Sequence, residues 1–410
     1  MTKKRALTII ISIILTGIGY GVYWVKDRFQ TLKLYGEGEL VNTDFKEEIP
    51  FEFRKGHIII KAKVNGKVYP FILDTGAGNY VFSNHLTDQS FDKIGEMGTY
   101  DANGASITSD LIKLPSLEIG NLKFKDLTAQ QRVFNFPCLD DVVGIIGRNT
   151  LRHGVWQIDY QQKVLHVSDN IENLQLTTDK IPAHVNRYSF TITVPLYVND
   201  STAVDFMLDT GSNGWISTNN EIAAQMATHA DLRFLGASGN SLGGYNGAKE
   251  EKKSLAKSMT LGTHTMDSLP VHYAAKHINL IGNAALKNYL ITISWKDGGV
   301  WLDPIPSPKE PTPKSFGFRT KKHEGKVLIS SIVDFKADAS GIKPGDQVIA
   351  YNEIDLTNAD DGTYCQFRNL ETKSVALKVL NSENDTITYT FAKTNLFAQA
   401  SAAALANLQE

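Results

Sequence analysis

The chain writes one motif twice, at Phe71 to Phe82 and at Phe206 to Ser217. The first copy reads Phe-Ile-Leu-Asp-Thr-Gly-Ala-Gly-Asn-Tyr-Val-Phe and the second Phe-Met-Leu-Asp-Thr-Gly-Ser-Asn-Gly-Trp-Ile-Ser. Each is an apolar strand ending in Asp-Thr-Gly, followed by small polar residues and a second apolar run. A carboxylate at the end of a buried strand is costly to bury alone. Two of them, in two similar halves, predict one shared site built around Asp74 and Asp209.

The likeness extends well beyond the motifs. His57 to Val64 is β-branched and partly alternating, Asn65-Gly66 is a hairpin signal, and Lys67 to Leu73 is the return strand. Phe190 to Val198, Asn199-Asp200 and Ala203 to Leu208 repeat the device. Downstream, Gly98-Thr-Tyr-Asp-Ala-Asn-Gly104 answers Gly243-Gly-Tyr-Asn-Gly247. Leu117-Glu-Ile-Gly answers Met259-Thr-Leu-Gly, and Val143-Gly-Ile-Ile-Gly answers Asn279-Leu-Ile-Gly. Trp156 and Trp295 follow at matching places and are expected in the core. Such a repeat decides architecture better than local propensity does. The prediction is a mainly β chain, with one lobe over residues 51–180 and a similar one over 181–303.

The 410 residues suit two or three domains. A formal charge of −2 argues against nucleic acid as a partner. The two cysteines, Cys138 and Cys365, fall in different predicted domains, so no stabilising disulfide is expected, and no cysteine-rich metal site. His272 and His277 are spaced poorly for one helix face, and no metal or other cofactor is expected.

At the N-terminus, Lys3, Lys4 and Arg5 precede an uncharged run from Ala6 to Val25, about long enough to span a bilayer. Tyr20, Tyr23 and Trp24 suit an interfacial belt. Length and ending favour an uncleaved membrane anchor over residues 1–28 rather than a cleaved signal. The basic flank then leaves the rest of the chain outside the cytoplasmic membrane, and cleavage would leave it secreted. Residues 29–50 read as a stalk or a first edge strand. Pro304, Pro306, Pro308, Pro311 and Pro313 mark a stiff linker over 304–314. A β-rich module with short helices follows over 315–395, and 396–410 is an alanine-rich tail.

Two Asp-Thr-Gly motifs, each followed by an apolar-apolar-Gly segment (Ile145-Ile146-Gly147 and Leu280-Ile281-Gly282), resemble the two-lobed, pepsin-type aspartic peptidases. That resemblance implies an endopeptidase without metal, acting on a peptide or protein substrate. Asp74 and Asp209 would share one proton and activate a water between them. Thr75 and Thr210 would brace the opposite lobe, and Gly76 and Gly211 would let backbone approach the carboxylates. Ala77 and Ser212 break the symmetry. A Ser212 hydroxyl donating to Asp209 would favour its charge and leave the proton on Asp74. Asp-Thr-Gly-Ala also resembles retroviral-type enzymes. Tyr100 and Tyr245 are the flap-tip candidates, Tyr100 the better placed.

Ser315-Phe-Gly-Phe318 together with Lys343-Pro-Gly-Asp-Gln-Val-Ile349 resembles a PDZ domain attached to a bacterial peptidase. It implies that Ser315, Phe316, Gly317 and Phe318 cradle the carboxylate of a protein C-terminal tail. The competing reading is a peptidase fold without turnover, working as a peptide-binding scaffold.

Overall fold

A computed structural model of the chain describes residues 28–101, 104, 106–199, 201–226, 231–236, 250–306 and 314–400. Residues 1–27 of the predicted anchor, and Tyr245, lie outside the described residues. Among those described, no helix is long and apolar enough to cross a membrane.

The repeat is visible strand by strand. In the first lobe, His57–Val64 pairs antiparallel with Lys67–Asp74 through the Asn65-Gly66 turn. Both turn residues have positive φ, 48° and 86°, as that hairpin type requires. Gly144–Gly147 then lies parallel to the end of the return strand, with Gly147 opposite Asp74. In the second lobe, Ile192–Tyr197 pairs with Ala203–Asp209, and Leu280–Gly282 lies parallel to it with Gly282 opposite Asp209. The long hairpins also match: Gly120 and Gly262, at the two turns, have φ of 59° and 61°.

One continuous apolar core runs through both lobes, from Ile58 and Phe71 to Phe206 and Leu302. Trp156 and Trp295 are buried in it, as expected. A six-stranded sheet joins the lobes where Val155–Asp159 meets Tyr289–Ser294 antiparallel, with Trp156 opposite Ile293 and Ile158 opposite Ile291.

Residues 29–50 do not stand off as a stalk. Lys46–Pro50 forms the edge strand of that six-stranded sheet, beside Val164–Ser168. Residues 28–35 are helical, and Tyr35 at their end is 1% exposed beneath the first Asp-Thr-Gly loop. There a side chain on Gly78 would collide with the Tyr35 ring. The ring had to be buried somewhere, and the second glycine of the loop opens the space.

The C-terminal module has its own core around Val327, Ile342, Leu377 and Phe391. Its strand Lys326–Val333 continues the second-lobe sheet by pairing with Leu232–Gly236, so lobe and module share one sheet of fourteen strands. It also touches the first lobe. Cys138 and Cys365 form a disulfide across 227 residues, with their Cα atoms 5.4 Å apart. This corrects the expectation that the cysteines stay separate. Helix Asp361–Arg368 folds back against the loop that precedes Gly144–Gly147, a long-range approach that spacing cannot show.

Candidate active site

Each aspartate closes a strand whose last four residues are buried, so the chain must leave the sheet at a charged side chain. The following turn answers that charge with backbone amides. Asp74 Oδ1 accepts from Gly76 N (2.7 Å) and Ala77 N (2.9 Å). Asp209 Oδ1 accepts from Gly211 N (2.9 Å) and Ser212 N (3.1 Å). Both side chains are 7% exposed and lie within hydrogen-bonding reach of each other.

The threonines hold the lobes together beneath the pair. Thr75 Oγ1 donates to Leu208 O (2.6 Å) and accepts from Thr210 N (3.1 Å). Thr210 Oγ1 donates to Leu73 O (2.9 Å) and accepts from Thr75 N (3.0 Å). Each hydroxyl therefore satisfies one buried donor and one buried acceptor of the other lobe. The glycines are required by the same closeness. A Cβ on Gly76 would sit 2.6 Å from Asp209 Cγ, and one on Gly211 would overlap the Asp74 carboxylate.

Burial pushes both carboxyls up, Asp209 furthest, because the negative charge of Asp74 adds to its burial. Asp74 is held back by its two amides and by the Arg148 guanidinium. The two carboxyls therefore titrate as one unit around a shared proton. The tuning role expected of Ser212 finds no contact to support it. Its hydroxyl accepts from Gly214 N (3.3 Å) and makes no hydrogen bond to Asp209. Arg148 is the residue the sequence flagged least. Its Nη1 donates to Gly76 O (2.5 Å), on the turn that cradles Asp74. The second lobe has Asn283 at this place, bridging Gly56 O (2.8 Å) and Thr210 O (2.6 Å) and accepting from Tyr160 OH.

His57 was missed. It opens strand His57–Val64 opposite Arg54, packs on the Phe136 ring and is 8% exposed. Burial pushes its pKa down to about 4, countered in part by the Gly211 backbone.

The flap candidate Tyr100 ends strand Lys93–Tyr100 of a long hairpin with Ser106–Ile119, and its side chain is 76% exposed rather than turned to the aspartates. The next residue, Asp101, is 4% exposed.

The loop expected to cradle a carboxylate is partly engaged within the chain. Ser315 N donates to Thr394 O (2.8 Å) and Gly317 N to Ser315 Oγ (3.1 Å). Phe316 and Phe318 stack on each other, and Phe318 packs on Phe391. Helix Asp361–Arg368 is bridged to strand Phe318–His323 by Tyr364 OH to Thr320 O (3.1 Å) and by Lys322 to Asp361 (2.7 Å).

His272 and His277 do come together, with ring centroids 4.8 Å apart. The spacing argument assumed a helix. His272 instead lies one residue before the end of strand His264–Tyr273, and the turn after that strand returns His277 to the same place.

Residues 60–150 match the family model for aspartyl proteases. The match takes in the Asp74 motif and Gly147, and the mainly β architecture agrees with such a fold. No curated protein matches the chain.

Proposed function

We propose that the chain is an aspartic endopeptidase working through Asp74 and Asp209. The observation that carries this reading is the crossed pair itself: two buried carboxylates in one hydrogen-bonded unit, each fed by two amides and locked by the opposite lobe's threonine. A pair so rigidly held is arranged for chemistry, because burying two carboxylates together is unfavourable for stability alone.

In this mechanism the ionised Asp74 takes a proton from a water held between the two carboxyls. Protonated Asp209 hydrogen-bonds the peptide carbonyl as the water oxygen adds to its carbon. The C–N bond then breaks as the nitrogen receives a proton from the dyad, giving an acid and an amine. Neither a metal nor a covalent intermediate takes part. Thr75, Thr210, Gly76 and Gly211 fix the geometry, and Arg148 biases the charge toward Asp74.

The setting we propose is the outer side of the cytoplasmic membrane. The uncharged run from Ala6 to Val25 supports attachment, and the Cys138–Cys365 bond supports an oxidising compartment. The PDZ-like module serves here mainly as a brace between the lobes. Its engaged Ser315 and Gly317 amides argue against ready capture of a tail carboxylate.

The test is cleavage of a mixed peptide library by the full chain, with Asp209→Asn in parallel. Cleavage lost in the variant supports the dyad. Equal cleavage by both removes the dyad as the source of the activity, and none by folded parent at any pH moves the reading to a binding protein.

A further inference from the structure

Away from the dyad, the second lobe gathers three metal-ligating side chains that the proposed peptidase chemistry does not use. Glu251 lies on strand Glu250–Leu261 and is 1% exposed. His272 lies on the antiparallel neighbour His264–Tyr273, opposite Lys253 and so on the same face as Glu251. His277 follows a tight turn closed by its own amide onto Ala274 O (3.2 Å). That turn brings its ring against His272 at an interplanar angle of 76°. One donor atom from each of the three lies within 4.8 Å of the other two. His272 Nε2 and Glu251 Oε2 are 2.8 Å apart.

His277 is 95% buried by its residual 5% exposure. Its Nδ1 is 3.3 Å from Ser217 Oγ, which leaves Nε2 with no hydrogen-bond partner among the described residues. A buried imidazole nitrogen without a partner is costly. A hydrogen-bonded His–Glu pair accounts for His272 and Glu251 but not for this nitrogen.

We infer that Glu251, His272 and His277 form a binding site for a divalent transition-metal ion, zinc above all. Two imidazoles and one carboxylate are a zinc donor set with a fourth position open. Zinc bonds of about 2.0–2.1 Å put tetrahedral donors about 3.3 Å apart, so the farthest pair draws in by roughly 1.5 Å on binding. Asp101, next to the exposed end of the first-lobe hairpin strand, lies within electrostatic reach of His277 but outside the three-donor cluster. Gly104 of the same hairpin already abuts Lys276, so the two lobes meet at this point. Lys253 and Arg319 also act on His272 and oppose a cation. They set the sign of one variant below.

The inference stands apart from the peptidase reading, and binding tests it without any activity measurement. The full chain is stripped with a chelator and titrated with Co(II), followed by visible absorption, and then with Zn(II) in competition. One equivalent is expected, with the intense visible bands of a tetrahedral site, displaced by zinc. His277→Asn and Glu251→Gln are each expected to weaken binding at least a hundredfold. Arg319→Met, which removes a guanidinium that acts on His272, is expected to tighten it. No uptake by folded parent, weak octahedral-type absorption, or affinity unmoved by His277→Asn and Glu251→Gln overturns the site. If those two variants fail to fold, affinity unchanged or weakened in Arg319→Met does so.

Discussion

Cys138 in the first lobe and Cys365 on helix Asp361–Arg368 of the C-terminal module are joined, although 227 residues of chain separate them. The bond closes a loop that also contains the whole second lobe. For a loop of that length the chain-entropy account gives a ceiling of roughly 5 kcal/mol. Reduction, or Cys365→Ser, is therefore expected to lower the thermal midpoint and expose 314–400 to limited proteolysis. Strand pairing to Leu232–Gly236 should keep the module attached. A midpoint indifferent to reductant would show that the bond does not form in solution.

Thr75→Val removes a donor to Leu208 O and leaves the buried Thr210 amide without its acceptor. Each lost partner costs about 1–3 kcal/mol, so denaturant unfolding should show a loss of about 2–6 kcal/mol. Thr75→Ser keeps the hydroxyl and should cost far less. Because each hydroxyl accepts from the other threonine's amide, the double Val variant should depart from the sum of the singles. Strict additivity would mean that the two threonines act independently.

Asp209 titrates above its unfolded value in the folded chain, so its contribution has a definite sign with pH. The protonated pair is favoured below the unfolded pKa, and that stabilisation is lost as pH rises through the folded value. Asp209→Asn cannot ionise. Its stability relative to the parent should rise from acid to neutral pH while its activity is abolished. A stability difference flat across pH 4 to 8 would contradict the shared-proton assignment.

His57 pulls the other way. Its folded pKa of about 4 lies below the ordinary 6.5, so the unfolded chain binds the proton first. Stability should fall as pH drops from 6.5 toward 4, by about 3 kcal/mol for this residue. Denaturation midpoints across that window, with His57→Gln as the flattened control, measure it.

Arg148→Met removes the charge that favours ionised Asp74. The acidic limb of the pH–rate profile should move to higher pH. Ala77→Ser should leave that limb in place, because the matching Ser212 hydroxyl turns to Gly214 N and not to a carboxylate. A shift with Ala77→Ser and none with Arg148→Met would restore the hydroxyl as the tuning group.

Much of this was legible in the sequence because it was written twice. Asp-Thr-Gly, the Asn65-Gly66 turn and the apolar-apolar-Gly strands each encode a local shape, and finding both copies fixed their partnership. What was not legible depends on side chains meeting across long stretches of chain. The Arg148 guanidinium reaches Gly76 O from 72 positions away. The Ser212 hydroxyl is decided by which neighbour it faces, and residue type alone pointed it the wrong way. Glu251, His272 and His277 meet through a strand register and a turn, so a helical spacing rule passed over them. The disulfide was invisible for the same reason.

The seam between the lobes pairs like with like: Trp156 faces Ile293 and Ile158 faces Ile291 across antiparallel strands from equivalent parts of the repeat. A strand edge that recognises its own counterpart is self-complementary. Either half, made separately, would present that edge bare and find a matching one on a second copy of itself. The covalent link between the halves thus does more than hold them together. It keeps two near-identical partners from choosing a twin, and so guarantees that one site always receives one Asp-Thr-Gly-Ala and one Asp-Thr-Gly-Ser.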